Sequence, residues 1–233
     1  MERKKILIVT AGGMGTRMGA SVPKQFIELE GKPILRLTIE RFLQAEPDLQ
    51  VITVLPEAHV IPWRQYCIKA DFTCPQRLVK GGFTRFHSVQ NALAHVPDGT
   101  LVAVHDGVRP LLSVDKIREM FAKAQSVPAL IPVMPVTDTL KVLKKEADGR
   151  LAATGEPIDR SRIYGAQTPQ IFYSEVLKQA YTQGFDTLFT DDASVAERYG
   201  IPLTFIAGER YNLKITTPED LIVAKLLLSL EHN

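Results

Sequence analysis

The stretch AGGMGTRMGASVPKQF, residues 11–26, sets four glycines beside Arg17 and Lys24 directly after a short apolar run. Glycines let backbone N–H groups come close to an anion, and the two cations add charge to the same segment. A dinucleotide fingerprint counted from Gly13 finds Gly15 at its third place but Met18 at its sixth. The Gly-Lys-Ser/Thr ending of a P-loop is also missing. Both common phosphate motifs therefore fail. A dinucleotide, a nucleoside triphosphate and a solvated turn all remain open readings of this loop.

Other polar residues stand where an α/β sheet holds its ligands. Asp106 follows the apolar run Leu101–His105. A carboxylate there can take a Mg²⁺ ion that keeps waters and phosphate oxygens as its other ligands, or it can be a turn aspartate. Arg109 can fork onto a phosphate or pair with Asp106. Gly81-Gly82 lead into a helical pattern carrying Ser88, which by itself reads as an ordinary polar helix residue. Thr190 reads as an N-cap before Asp191-Asp192.

The elements that position these residues alternate. Apolar runs at 6–10, 51–55, 78–79, 101–105, 129–133 and 203–206 read as strands. Helical patterns fall at 33–45, 86–95, 114–124, 174–181, 192–199 and 218–230, the last opened by Thr217-Pro-Glu-Asp220. Such alternation predicts an α/β fold with a mostly parallel central sheet, ligands lying beyond the carboxyl ends of its strands. Residues 137–160 break the rhythm with two polar runs around Asp148-Gly149, a hairpin signal. This predicts a protruding β-hairpin arm on a single domain spanning 1–233, and an arm with one apolar side points to a homodimer.

The bulk composition narrows the partners. The 233 residues carry 28 Lys+Arg against 26 Asp+Glu, a formal net charge of +2. That balance argues against nucleic acid and membrane surfaces as partners. Two cysteines, Cys67 and Cys74, form no Cys-x-x-Cys, and no His-Glu-x-x-His occurs. A metal, if used, is then a hard ion on oxygen ligands. No apolar stretch approaches the roughly 20 residues of a bilayer span, and the first residues do not resemble a signal peptide, so the expected compartment is the cytoplasm.

The string G-G-x-G-T-R-M followed by P-K-Q resembles the nucleotide loop of sugar-phosphate and alcohol-phosphate nucleotidyltransferases. GGFTRFHSV (81–89), VHDGVRP (104–110), VTDTLK (136–141), IDR (158–160), QTPQIF (167–172), TDDAS (190–194) and NLKITTPEDL (212–221) extend the likeness over nearly the whole chain. Together they resemble the cytidylyltransferases that activate methylerythritol phosphate or ribitol phosphate, and TDDAS and IDR favour the methylerythritol phosphate branch of the non-mevalonate isoprenoid pathway. The resemblance implies a Rossmann-like nucleotidyltransferase fold and CMP transfer from CTP to the acceptor phosphate, with Mg²⁺ on Asp106. It implies that Arg17 and Lys24 are catalytic. CTP would lie against Ala11, Gly12, Gly13, Met14, Gly15, Thr16, Gly81, Gly82, Arg85, Ser88 and Lys214. The acceptor side would hold Asp106, Arg109, Thr139, Arg160, Thr168 and Thr190, with Thr139 and Arg160 reaching across from a partner subunit. Phe83 and Tyr211 depart from the family pattern, which often has acids at both places. A ribitol phosphate enzyme, a non-catalytic nucleotide-binding protein on the same fold and a nicotinamide oxidoreductase are the rival readings, the last disfavoured by the failed fingerprint.

Overall fold

In the run Ile6-Leu7-Ile8-Val9 every side chain is buried, so both faces of this strand must be covered. The computed structural model, which describes residues 2–13 and 23–231, shows how. In chain order it contains β1 (Lys5–Thr10), a 3-10 turn at Lys24–Phe26, the short pair β2 (Glu28–Leu29) and β3 (Lys32–Pro33), α1 (Ile34–Ala45), β4 (Gln50–Leu55), α2 (Glu57–Lys69) and β5 (Gln76–Lys80). Then come α3 (Arg85–Leu93), β6 (Leu101–Asp106), α4 (Val114–Ala124), β7 (Ala129–Pro135), β8 (Leu143–Lys145) and β9 (Leu151–Ala153). A 3-10 turn at Arg160–Arg162, β10 (Tyr164–Ala166), β11 (Gln170–Tyr173), α5 (Ser174–Ala180), α6 (Asp192–Arg198), β12 (Thr204–Ala207) and α7 (Pro218–Glu231) complete it.

The sheet is mostly parallel, as the alternation predicts. β1 pairs in parallel with β4 and β6, β4 with β5, and β7 with β12. The antiparallel exceptions are β11, between β6 and β7, and β10 on β7. The period-two alternation sends Leu7 and Val9 to one face, with Leu35, Ile39 and Phe42 of α1, Trp63 of α2, and Ile117, Met120 and Phe121 of α4. Ile6 and Ile8 face the other way, against Phe86 and Val89 of α3, Leu177 of α5 and Val195 of α6. A third cluster seats Ala224 and Leu228 of α7 on Leu29, Ile34 and Val108.

Register brings the loops together. Thr10 pairs with Val54 on one side and Asp106 on the other, so three strands end level. Beyond them the ladder is continued loop to loop: Ala11 N–H donates to Val54, Gly81 N–H to Leu55 and Gly107 N–H to Thr10, all at 2.8–2.9 Å.

Several expectations are refined. The sequence pattern misses α2, which contains Pro62 and buries only Trp63, so it carries almost no hydrophobic periodicity. It also misses β10 and β11. The third helix runs over Arg85–Leu93 instead of 86–95, its start set by the Thr84 side chain accepting from His87 N–H. The N-cap of α6 is Asp191, not Thr190: Asp191 accepts from Ser194 N–H while Ser194 Oγ accepts from Asp191 N–H. The hairpin is present as β8 and β9, with Leu143 opposite Ala153 and Lys145 opposite Leu151. Gly149 turns it with a φ of +86°, where a Cβ is strained. Among the described residues no helix is long and apolar enough to cross a membrane.

A candidate nucleotide site at the strand ends

A cavity of about 290 Å³ opens at the carboxyl ends of β1, β5 and β6, lined from the first loop by Thr10, Ala11, Gly12, Gly13, Lys24 and Gln25. Gly82, Phe83, Thr84, Arg85 and Ser88 line it from the second, with Asp106, Val108 and Lys214 completing it. A Cβ added at Gly12 would meet nothing nearer than Ser88 Oγ at 4.0 Å, and one at Gly13 only Lys24 Cε at 3.4 Å. The glycine backbone therefore faces open space. Arg17, Met14, Gly15 and Thr16 lie outside the described residues.

Lys24 is placed from both sides. It opens the 3-10 turn after Pro23, and the next residue, Gln25, is buried with its Nε2 donating to Ala11 O at 2.9 Å. Phe26 then anchors on Trp63, ring centroids 6.0 Å apart. The end of the glycine loop is thereby tied to its own beginning.

Asp106 is the electrostatic centre. Its Oδ2 is 3.0 Å from Arg109 Nε and 3.1 Å from Lys214 Nζ, and its Oδ1 is 4.0 Å from Arg85 Nε. Burial alone would raise its pKa. The charges of Arg85, Lys214 and Arg109 outweigh that and hold it well below the usual carboxylate range. Asp106 is thus ionised at any working pH.

The layer beneath fixes this carboxylate. Asp106 N–H donates to Thr168 Oγ1 at 3.1 Å, and Thr168 contacts His105 Nδ1 at 3.1 Å. His105 Nε2 lies 3.1 Å from the Arg109 carbonyl, which can only accept, so Nε2 carries the proton and Nδ1 accepts from the threonine. Burial keeps His105 neutral, its pKa pushed down to about 4. Arg109 Nη1 donates to Asn212 O at 2.7 Å, and Asn212 Nδ2 to Thr168 O at 2.7 Å.

Arg85 is held from behind. Its Nη2 donates to Asp192 Oδ2 at 2.5 Å, and Tyr181 O–H donates to Asp192 Oδ1 at 2.6 Å. Asp192 is fully buried. Burial opposes the arginine's charge, but Asp192 more than compensates and raises its pKa.

The structure therefore sorts the expected residues. It brings Ala11, Gly12, Gly13, Lys24, Gly82, Arg85, Ser88, Asp106 and Lys214 to one cavity. Gly81 lies just behind, its N–H on Leu55 O. Ser88 serves its own loop: its Oγ accepts from Gly82 N–H at 3.0 Å and donates to Thr84 O at 2.9 Å. Arg109 makes the pairing with Asp106 that was one of its two readings. Thr168 is buried under Asp106, its hydroxyl engaged. Thr139, Arg160 and Thr190 are exposed and do not line this cavity; Arg160 Nη1 donates to Thr137 O at 2.7 Å. Tyr211 is also exposed. Gln25, His105, Asn212, Tyr181 and Asp192 carry the support, and sequence reasoning assigned none of them a part in it. Gln25, His105, Asp192 and Asn212 sit inside the strings P-K-Q, VHDGVRP, TDDAS and NLKITTPEDL, which was the one signal available; Tyr181 lies outside them all.

Among the described residues no three His, Cys, Asp or Glu side chains gather as a metal-binding group. Asp106 is the carboxylate on the cavity wall, and its Oδ1 is the less engaged oxygen. One carboxylate suits a divalent ion held mainly by phosphate oxygens and water, not an ion caged by protein.

The family model for 2-C-methyl-D-erythritol 4-phosphate cytidylyltransferase (IspD) matches residues 5–230. A relative of that name from Porphyromonas gingivalis is 47% identical over 231 residues, covering 98% of this chain and 100% of its own length. One from Bacteroides thetaiotaomicron is 44% identical, covering 97% and 100%. Among solved structures, the 4-diphosphocytidyl-2C-methyl-D-erythritol synthase of Anaerococcus prevotii superposes with a TM-score of 0.78 at 26% identity, covering 98% of this chain and 100% of that one. The cytidylyltransferase of Thermus thermophilus gives 0.74 at 30% identity, with coverage of 98% and 100%. With its glycine loop, Lys24 and the Asp106 cluster at level strand ends, and with the match running from residue 5 to residue 230, this chain belongs to the 2-C-methyl-D-erythritol 4-phosphate cytidylyltransferase family.

Proposed function

We propose that the chain transfers a cytidylyl group from CTP to 2-C-methyl-D-erythritol 4-phosphate, and that the cavity described above is where it does so. The observation that carries the siting is Asp106, ionised and set among Arg85, Arg109 and Lys214 beside the glycine loop. Glycine N–H groups take the triphosphate, and Lys24 and Arg17 meet its charge. An oxygen of the acceptor phosphate attacks the α-phosphorus in line, a new P–O bond forms, and the bond to the β-phosphate oxygen breaks to release pyrophosphate. The phosphate dianion is already a nucleophile, so alignment and charge stabilisation supply the catalysis and no general base is required. Mg²⁺ is the ion we assign to Asp106; when bound it offsets triphosphate charge. The working compartment we assign is the cytoplasm. The test is pyrophosphate release with CTP and Mg²⁺, offered methylerythritol phosphate and ribitol phosphate separately. Release with the first acceptor alone is expected; release with neither sinks the reading.

The hairpin arm is assigned to a homodimer. Leu143 and Leu151 are exposed on it, and Ile163 and Tyr164 at its base. Thr139 and Arg160, which stay outside the cavity of their own chain, would then complete the site of the other. Deleting residues 140–157 should give a monomer by sedimentation that still binds CTP and turns over slowly. A dimeric, fully active deletion protein would remove both assignments.

A further inference from the structure

We propose that Phe83 is the stacking platform for the base of the bound nucleotide, a reading that rests on the cavity being a nucleotide site. Phe83 is fully exposed, yet it lines the cavity. Among the described lining residues it is the only aromatic; the rest offer glycine backbone, hydroxyls, cations, one carboxylate, the Gln25 amide and small aliphatic groups. A nucleotide has a charged tail and a flat base with an apolar face. Lys24, Arg85 and Lys214 answer the tail, and among the described lining residues Phe83 alone presents an aromatic face to the base.

The backbone that carries the ring is fixed in advance. On one side Gly82 N–H is held by Ser88 Oγ at 3.0 Å, and a Cβ there would stand 2.4 Å from His87 Cβ, so this residue is pressed onto α3. On the other side Thr84 caps α3. The ring meets His87 edge to face, with centroids 6.4 Å apart at 88°. A base settling on Phe83 therefore covers exposed apolar surface without ordering a mobile backbone, the condition under which stacking adds affinity. Stacking is tolerant of base identity, so Phe83 contributes grip and leaves the choice of cytosine to hydrogen bonds elsewhere.

The test is calorimetric titration of the full-length protein with CTP and with inorganic tripolyphosphate. Phe83→Ala should weaken CTP by about 5- to 150-fold, the range of base–aromatic stacking. Tripolyphosphate affinity should be unchanged, and Phe83→Trp should restore CTP binding. Equal loss of both ligands would show that the ring only shapes the loop, and unchanged CTP affinity would show that it touches nothing; either overturns the proposal. A parent protein that binds tripolyphosphate but gains nothing from the cytidine would overturn the nucleotide reading itself.

Discussion

The role proposed for Lys24 makes it a side chain that should matter to rate and little to stability. It sits in a one-turn 3-10 segment on the cavity wall, where truncation removes few packed atoms. Lys24→Ala should lower kcat for pyrophosphate release by about two to three orders of magnitude, as for loss of a preorganised charge donor. Unfolding free energy should move by no more than about 0.5 kcal/mol. A kcat within about threefold of the parent, with an unchanged melting curve, would make it a solvated loop charge. Asp192 is the opposite case. It is buried and pairs Arg85 while accepting from Tyr181. Asp192→Ala strands the guanidinium and should cost about 3 kcal/mol in urea unfolding, whereas Tyr181→Phe, which keeps the ring stacked on Phe86, should cost about 1 kcal/mol. Equal costs would mean that Arg85 is held by something else. The charges on the cavity wall were legible in the sequence because loop strings advertise them. The pair behind Arg85 was not: Asp192 lies 107 positions from its partner, and its spelling is that of a helix start.

At the scale of elements, the loop entering α3 shows geometry acting through an atom that is missing. A Cβ at Gly82 would collide with His87 Cβ at 2.4 Å and crowd the helix backbone at 3.0 Å. Gly82→Ala must therefore push the loop off α3 and lengthen its bond to Ser88. The expected outcome is a several-fold rise in KM for CTP with a melting temperature lowered by a few degrees; an unchanged KM would mean that the loop does not face the nucleotide. Elements with a strong period were readable: β1, β4, β6 and α4 announce themselves because each has a full apolar face to bury. Two that escaped have no such face. α2 buries Trp63 alone, and β10 is exposed at all three residues, held only by pairing with β7. β11 escaped because it is only four residues long and opens on the polar Gln170, which is buried with its amide donating to Asp191, a partner 21 residues away.

For the whole molecule, folding is linked to pH through His105. The ring is buried and neutral, with its pKa lowered to about 4, whereas in the unfolded chain it titrates near about 6.5. Below that value the unfolded state binds the extra proton, so stability is fully present above about pH 6.5 and falls as pH drops towards 4. The loss should be on the order of 3 kcal/mol in urea unfolding across that window. His105→Gln should flatten this dependence; a parent with constant stability from pH 6.5 to 4.5 would refute the linkage. The cluster above His105 has a consequence beyond the fold. Arg85, Arg109 and Lys214 gather around Asp106, Asp192 backs Arg85, and Lys24 lines the same cavity, so among the described residues cations outnumber carboxylates there while the chain as a whole is nearly balanced at +2. Its far field is weak and its near field is not. At physiological ionic strength, attraction reaches only about 8 Å, so a polyanion meets the pull at the mouth and not at a distance. Capture then depends on diffusional encounters close to the rim, and added salt slows entry more than it disturbs the folded sheet.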